Sequence, residues 1–209
     1  MNEHLENLKE IRSLMERSSK FLSLSGLSGI SAGVVALIAA YVVYAQKVAL
    51  TGDTTPKAIF DANAYAEGDD FKTFLLKTAL ITVLAALILG VYFTIRKARK
   101  ESKTVWNSLS KKLLINLMVP LVAGGIFCLA LMFHGVLWIV PSATLLFYGL
   151  ALFSAAKYTV RDVEYLAISE IVLGLLSLVL TGYSLLFWAM GFGFLHIFYG
   201  TIMYWKYEK

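Results

Sequence analysis

Six long apolar stretches, near residues 21–44, 71–95, 113–133, 136–156, 164–182 and 184–204, constrain this chain more than any motif in it. Each is close to the roughly 20 residues that an α-helix needs to cross a hydrocarbon core at a rise of ~1.5 Å per residue. The expected fold is therefore all-α, a polytopic membrane helical bundle with six transmembrane helices. Composition points the same way. Apolar residues make up 58% of the chain, charged residues only 16%, and mean hydropathy is +0.70. A soluble domain carries about 25% charged residues and has no means of hiding so much apolar surface. Six spans in 209 residues leave little beyond connections, so a separate catalytic or DNA-binding domain is not expected.

The chain divides into an N-terminal arm, residues 1–20, and a transmembrane domain, residues 21–209. Leu5, Leu8, Ile11 and Met15 recur on the arm at helical spacing with charges between them, the pattern of a helix lying on a membrane or under the bundle. The first apolar stretch follows twenty residues of mixed charge and exceeds a signal-peptide core in length, so it is expected to stay as a helix.

Charge orients the bundle. Lys9, Arg12, Arg17 and Lys20 in the arm share one side with Arg96, Lys97, Arg99, Lys100, Lys103, Lys111 and Lys112, and with Lys157, Arg161, Lys206 and Lys209. By the positive-inside rule that side is cytoplasmic, with both termini there, in a plasma (inner) membrane. The opposite side holds the 46–70 loop, in which Asp53, Asp61, Glu67, Asp69 and Asp70 outnumber Lys47 and Lys57. The net charge of +5 does not indicate nucleic acid, because the basic residues flank spans, where each gains about 1 kcal/mol from an anionic leaflet. The lipid bilayer is the expected partner, together with a second copy or another membrane protein.

Helices in lipid associate through small residues and interhelical hydrogen bonds, since leucine gains little by leaving lipid for leucine. The first span is written accordingly: Ser25, Gly29 and Gly33 fall at intervals of four and mark a face for close helix approach. The fifth carries a stripe of Ala167, Glu170, Gly174, Ser177 and Thr181, and the sixth a stripe of Ala189, Gly193, His196 and Gly200. Glu170 and His196 are each 13 residues from Tyr183 in the intervening turn, which predicts two facing ionisable groups at one depth. Burying such groups in lipid costs several kcal/mol unless they are paired. Tyr148 and Tyr199 are expected in the same polar layer, with Asn116 and Ser169 as weaker members nearer an interface. The layer serves either as a clamp that fixes the bundle or as a place where a proton is shared.

Phe147-Tyr148-Gly149 recurs as Phe198-Tyr199-Gly200, an offset of 51 residues, and Trp138 is followed by Trp188. A duplicated helical hairpin, spans three and four resembling five and six, would produce this pattern. Pro120 is expected to kink or loosen the third span, whereas Pro141 falls near the start of the fourth. Cys128, the single cysteine, excludes an internal disulfide and reads as a packing residue.

The chain has no His-Glu-x-x-His, no Cys-x-x-Cys and no phosphate-binding glycine loop. No catalytic residue, metal site or cofactor is assigned. His4, His134 and His196 fall at different depths, which disfavours paired haem ligation. Two function classes remain: a structural, sensory or regulatory membrane component acting through a partner, and, as the alternative, a small proton-linked transporter or channel using the Glu170-His196 layer.

Overall fold

The computed structural model describes residues 25–52, 54–55, 69–102 and 106–209, and every regular element among them is helical. The N-terminal arm, residues 1–20, and most of the acidic 46–70 loop lie outside the described residues.

Helix α1 spans Gly26–Thr51, several residues beyond the expected end near Tyr44, because no helix breaker intervenes before Gly52. Gly52 then adopts a φ of 67°, and its N–H returns to the Val48 carbonyl at 2.8 Å, closing the helix with a left-handed cap. Helix α2, Asp69–Lys100, also outruns its apolar core, and Lys97, Arg99 and Lys100 in its last turn suit the negative end of the helix dipole. Helix α3, Ser108–Phe133, starts at a reciprocal cap: Ser110 N–H donates to Asn107 Oδ1, and Asn107 N–H donates to Ser110 Oγ, both at 2.8 Å. Pro120 lies within α3, which runs unbroken past it.

After a 3₁₀ turn at Leu137–Ile139, helix α4 covers Val140–Ala156 with Pro141 in its first turn, where a missing N–H has no partner to lose. Helix α5 is Arg161–Val179. A second 3₁₀ turn, Thr181–Tyr183, leads into α6, Ser184–Trp188, then a π-helical segment, Ala189–Leu195, then α7, His196–Tyr207. The last three elements form one continuous rod with a wider-wound middle.

Among the described residues, five stretches are long and apolar enough to cross a membrane: Gly26–Thr51, Asp70–Lys100, Ser108–Phe133, Leu137–Ala156 and Thr181–Tyr207. Helix α5 stands apart because it holds Arg161, Asp162, Glu164 and Glu170 within 19 residues. Exposed apolar side chains cover α2 and α3. Ile81, Ile88, Ile115 and Val119 are all more than 60% exposed, a surface suited to lipid tails and not to water.

Helix α1 packs against α2 on one flank and against the π segment and α7 on the other; α4 lies between α3 and α5, and α6 bridges to α4 and α5. Glycines set the closest approaches. A Cβ on Gly29 would lie 3.1 Å from Gly200 Cα, one on Gly33 would lie 2.6 Å from the Gly193 carbonyl oxygen, and one on Gly174 would lie 2.9 Å from Leu146 N. At one end of the bundle Ala40, Val43 and Leu185 pack with Phe74, Trp138 and Trp188; at the other, Ala156, Val160, Val163 and Met203 pack with Tyr207.

The packing does not follow the pattern of two equal hairpins. Helices α3 and α4 pack directly together, whereas α5 leans mainly on α4 and touches the final rod less extensively. Gly149 faces Ile171 of α5, while Gly200 faces Gly26, Gly29 and Ile30 of α1, so the two Phe-Tyr-Gly copies have unlike surroundings.

Candidate functional site

Glu170 of α5 is completely buried, and His196, the first residue of α7, is 6% exposed. His196 Nδ1 lies 3.3 Å from Glu170 Oε1. That distance suits an ion pair, but the ring nitrogen makes its hydrogen bond elsewhere, to the Gly191 carbonyl at 3.0 Å. Neither carboxylate oxygen of Glu170 has a hydrogen-bond partner among the described residues. A carbonyl oxygen only accepts, so Nδ1 carries the hydrogen. In a neutral imidazole Nε2 is then the acceptor, and the Tyr148 hydroxyl, 2.8 Å away, donates to it. A chain of three polar side chains results, from Tyr148 through the His196 ring to the edge of Glu170.

Its position depends on the π segment. Aromatic rings wall one side: Phe192 lies 5.0 Å from Tyr148 and 6.0 Å from His196 between ring centroids. On the other side the missing side chain of Gly191 makes room for the carboxylate; a Cβ there would overlap Glu170 Oε2 and Leu145 Cδ2. The His196 ring bonds the carbonyl five residues before it, the interval of a π turn, and so braces the wide winding from within.

The expected layer is thus only partly assembled. Tyr148 joins Glu170 and His196; Tyr199 instead packs edge-on against Phe198, with ring centroids 5.5 Å apart, and is only half-buried. Asn116 bonds the Lys112 carbonyl on its own helix and accepts from Ser154, and Ser169 bonds the Tyr165 carbonyl. The two stripes do not face each other along their length. Gly174 packs on α4, and Ser177 Oγ meets Ser142 Oγ of α4 at 2.7 Å, while Gly193 and Gly200 pack on α1. Only the ionisable members cross between the stripes.

On the first span, Gly29 and Gly33 contact the π segment and α7 within the same molecule. Ser25 has a different role: its hydroxyl donates to Glu208 Oε2 at 3.2 Å, and Gly26 N–H donates to the other oxygen. Glu208 therefore caps α1 from the far end of the chain and also lies 3.7 Å from buried Lys97. Nearby in sequence, Asp162 accepts from Lys206 at 3.1 Å and from the Tyr207 hydroxyl at 2.7 Å, which compensates a carboxylate at the start of α5.

Sequence reasoning missed the π segment, Gly191 and the Glu208 cap. The available signal was the pair Gly191 and Gly193 in an otherwise apolar run, weak helix formers placed where the winding changes. Among the described residues no group of three or more His, Cys, Asp or Glu side chains is placed to hold a metal ion. No family model, curated protein or solved structure matches the chain.

Proposed function

We propose that this chain is an integral membrane protein with six crossings and cytoplasmic termini, and that it works as a structural or regulatory component through a membrane partner. Helix α5 supplies the remaining crossing: its 19 residues span about 28 Å, and the Asp162 and Glu170 carboxylates turn inward. Short connections and the basic sequence around α2 and α3 favour an assembly role over a soluble activity.

The observation that carries this reading is the sealed seat of Glu170, which is 0% exposed and pressed against the Gly191 backbone and Leu145. A carboxyl group so enclosed does not line an open conduit. The test is proton flux in liposomes loaded with a pH-sensitive dye, under an imposed pH gradient. The expected result is no flux beyond that of empty liposomes, with Glu170→Gln indistinguishable from the parent. Flux that Glu170→Gln abolishes would establish the second reading, a proton-linked transporter, which the unpartnered Glu170 oxygens beside a π segment favour.

A further inference from the structure

We infer that the recess on the membrane face of α4, between α3 and α5, seats an anionic phospholipid, with its phosphate held by Lys157 and Arg161 and an acyl chain lying along Leu150 and Phe153. The inference rests on the membrane-spanning reading and does not depend on the closure of the bundle around Glu170.

The recess follows from how α4 is held. Toward α5 it presents Leu146 and Gly149, which lie against Gly174 and Ile171; toward α3 it presents Phe147 and Ser154, which meet Gly124 and Asn116. Leu145, Ala151 and Ala155 are buried on the remaining side. On a helix of about 3.6 residues per turn, the stripe of Leu150, Phe153 and Lys157 falls between the α5-facing and α3-facing sides. Within α4 only Leu150, at 42%, and Phe153, at 49%, are exposed, and exposed Lys157 follows directly at its end. The stripe is therefore uncovered along its length, apolar below and cationic at the top.

The neighbouring helices continue the same chemistry. On α5, Ile168 and Leu175 are exposed beside the α4 contact, on the side away from Glu170, and Arg161 tops that face. On α3, Lys112 stands one turn before Asn116, whose Oδ1 accepts from Ser154, so a third cation borders the head of the recess. Aromatic rings support the cations at this level: Lys157 Nζ lies 5.2 Å from the Tyr158 ring centroid, and the Arg161 guanidinium lies 6.0 Å from that of Tyr165. Rings of this kind sit at the depth of lipid headgroups.

The carboxylates of this end are largely engaged elsewhere. Asp162 turns inward to Lys206 and the Tyr207 hydroxyl, and Glu208 caps α1 beside Lys97. Glu164, half-buried, is the carboxylate left on this edge among the described residues, against Lys112, Lys157 and Arg161. The excess of positive charge matches a phosphate that carries no balancing amine, and the exposed stripe beneath it matches an acyl chain. A soluble anion uses only the first of these features, and a zwitterionic lipid matches only the second. An anionic phospholipid uses both.

The experiment places the full chain in nanodiscs of equal parts phosphatidylglycerol and phosphatidylcholine, transfers it to a mild neutral detergent, and measures by mass spectrometry which lipid stays bound. Phosphatidylglycerol is expected to exceed phosphatidylcholine by at least about tenfold, and the excess to disappear when Lys157→Gln and Arg161→Gln are combined. A control pair, Arg99→Gln with Lys100→Gln, removes the same charge from exposed positions at the end of α2 and should keep the excess. Phe153→Ala retains every cation and should lower the excess several-fold, which tests the recess even where the charge variant fails to fold. No lipid preference in the parent protein would overturn the seat, as would equal losses in the two charge variants, the result of a diffuse field, or an excess unchanged in Phe153→Ala. Release of the protein from membranes by alkaline carbonate would remove the membrane-spanning reading itself, whereas retention there without a lipid preference would remove only the seat.

Discussion

At the scale of single residues, the arrangement of Glu170 separates two kinds of cost. Removing one partner leaves a buried polar group stranded, while removing both puts apolar packing in place of the pair. His196→Phe is expected to destabilise the bundle by about 1–3 kcal/mol, because it strands the Tyr148 hydroxyl and the Gly191 carbonyl as well as Glu170, and adding Glu170→Leu to recover only the part due to Glu170. Unfolding in mild detergent of the two single variants and the double variant measures this coupling; additive losses would show that the two side chains do not interact. Both residues were legible as a pair because ionisable groups are rare in lipid and because they stand at equal distances from Tyr183. What they bond to was not legible. The Gly191 carbonyl takes the ring hydrogen only because the rod widens to π winding there, and apolar periodicity does not report winding.

At the scale of elements, glycines with the same chemistry differ by what stands opposite them. A Cβ on Gly33 or Gly200 meets the backbone of the neighbouring helix within 2.7 Å, whereas Gly90 and Gly125 have nothing within 4 Å. Gly33→Ala and Gly200→Ala should each destabilise by about 1–3 kcal/mol through overpacking, while Gly90→Ala and Gly125→Ala should be neutral or stabilise by up to about 1 kcal/mol through helix propensity. Thermal unfolding of the four variants checks the contrast, and equal effects at all four positions would contradict the helix contacts described above. The spacing of Gly29 and Gly33 announced a close contact but not the partner, which is the π segment and α7. Ser25 fell at the same spacing, yet it sits at the helix N-terminus, where its hydroxyl meets Glu208 and not a packing face. Helix ends shifted from their expected places for local reasons: the Asn107–Ser110 cap advances α3, and Gly52 halts α1.

At the scale of the whole molecule, orientation is a prediction of charge alone. With Cys128 first replaced, Asn63→Cys should react with an impermeant thiol reagent added to intact cells and Val105→Cys should not, because the basic loops remain inside. Labelling at 105 and not at 63 would invert the topology. The sequence by itself determined the class of molecule, a helical protein with apolar rods suited to a bilayer, because apolar run length is a local property that lipid reads directly. It also singled out Glu170 and His196, because a buried charge is conspicuous among apolar neighbours. Only the tertiary structure decided that α5 leans on α4, that α1 pairs with the final rod, that Tyr148 and not Tyr199 reaches His196, and that Glu208 closes α1. Those choices depend on which small residues allow which backbones to meet, and helices of similar hydrophobicity all round carry little in their pattern to say which neighbour each will take.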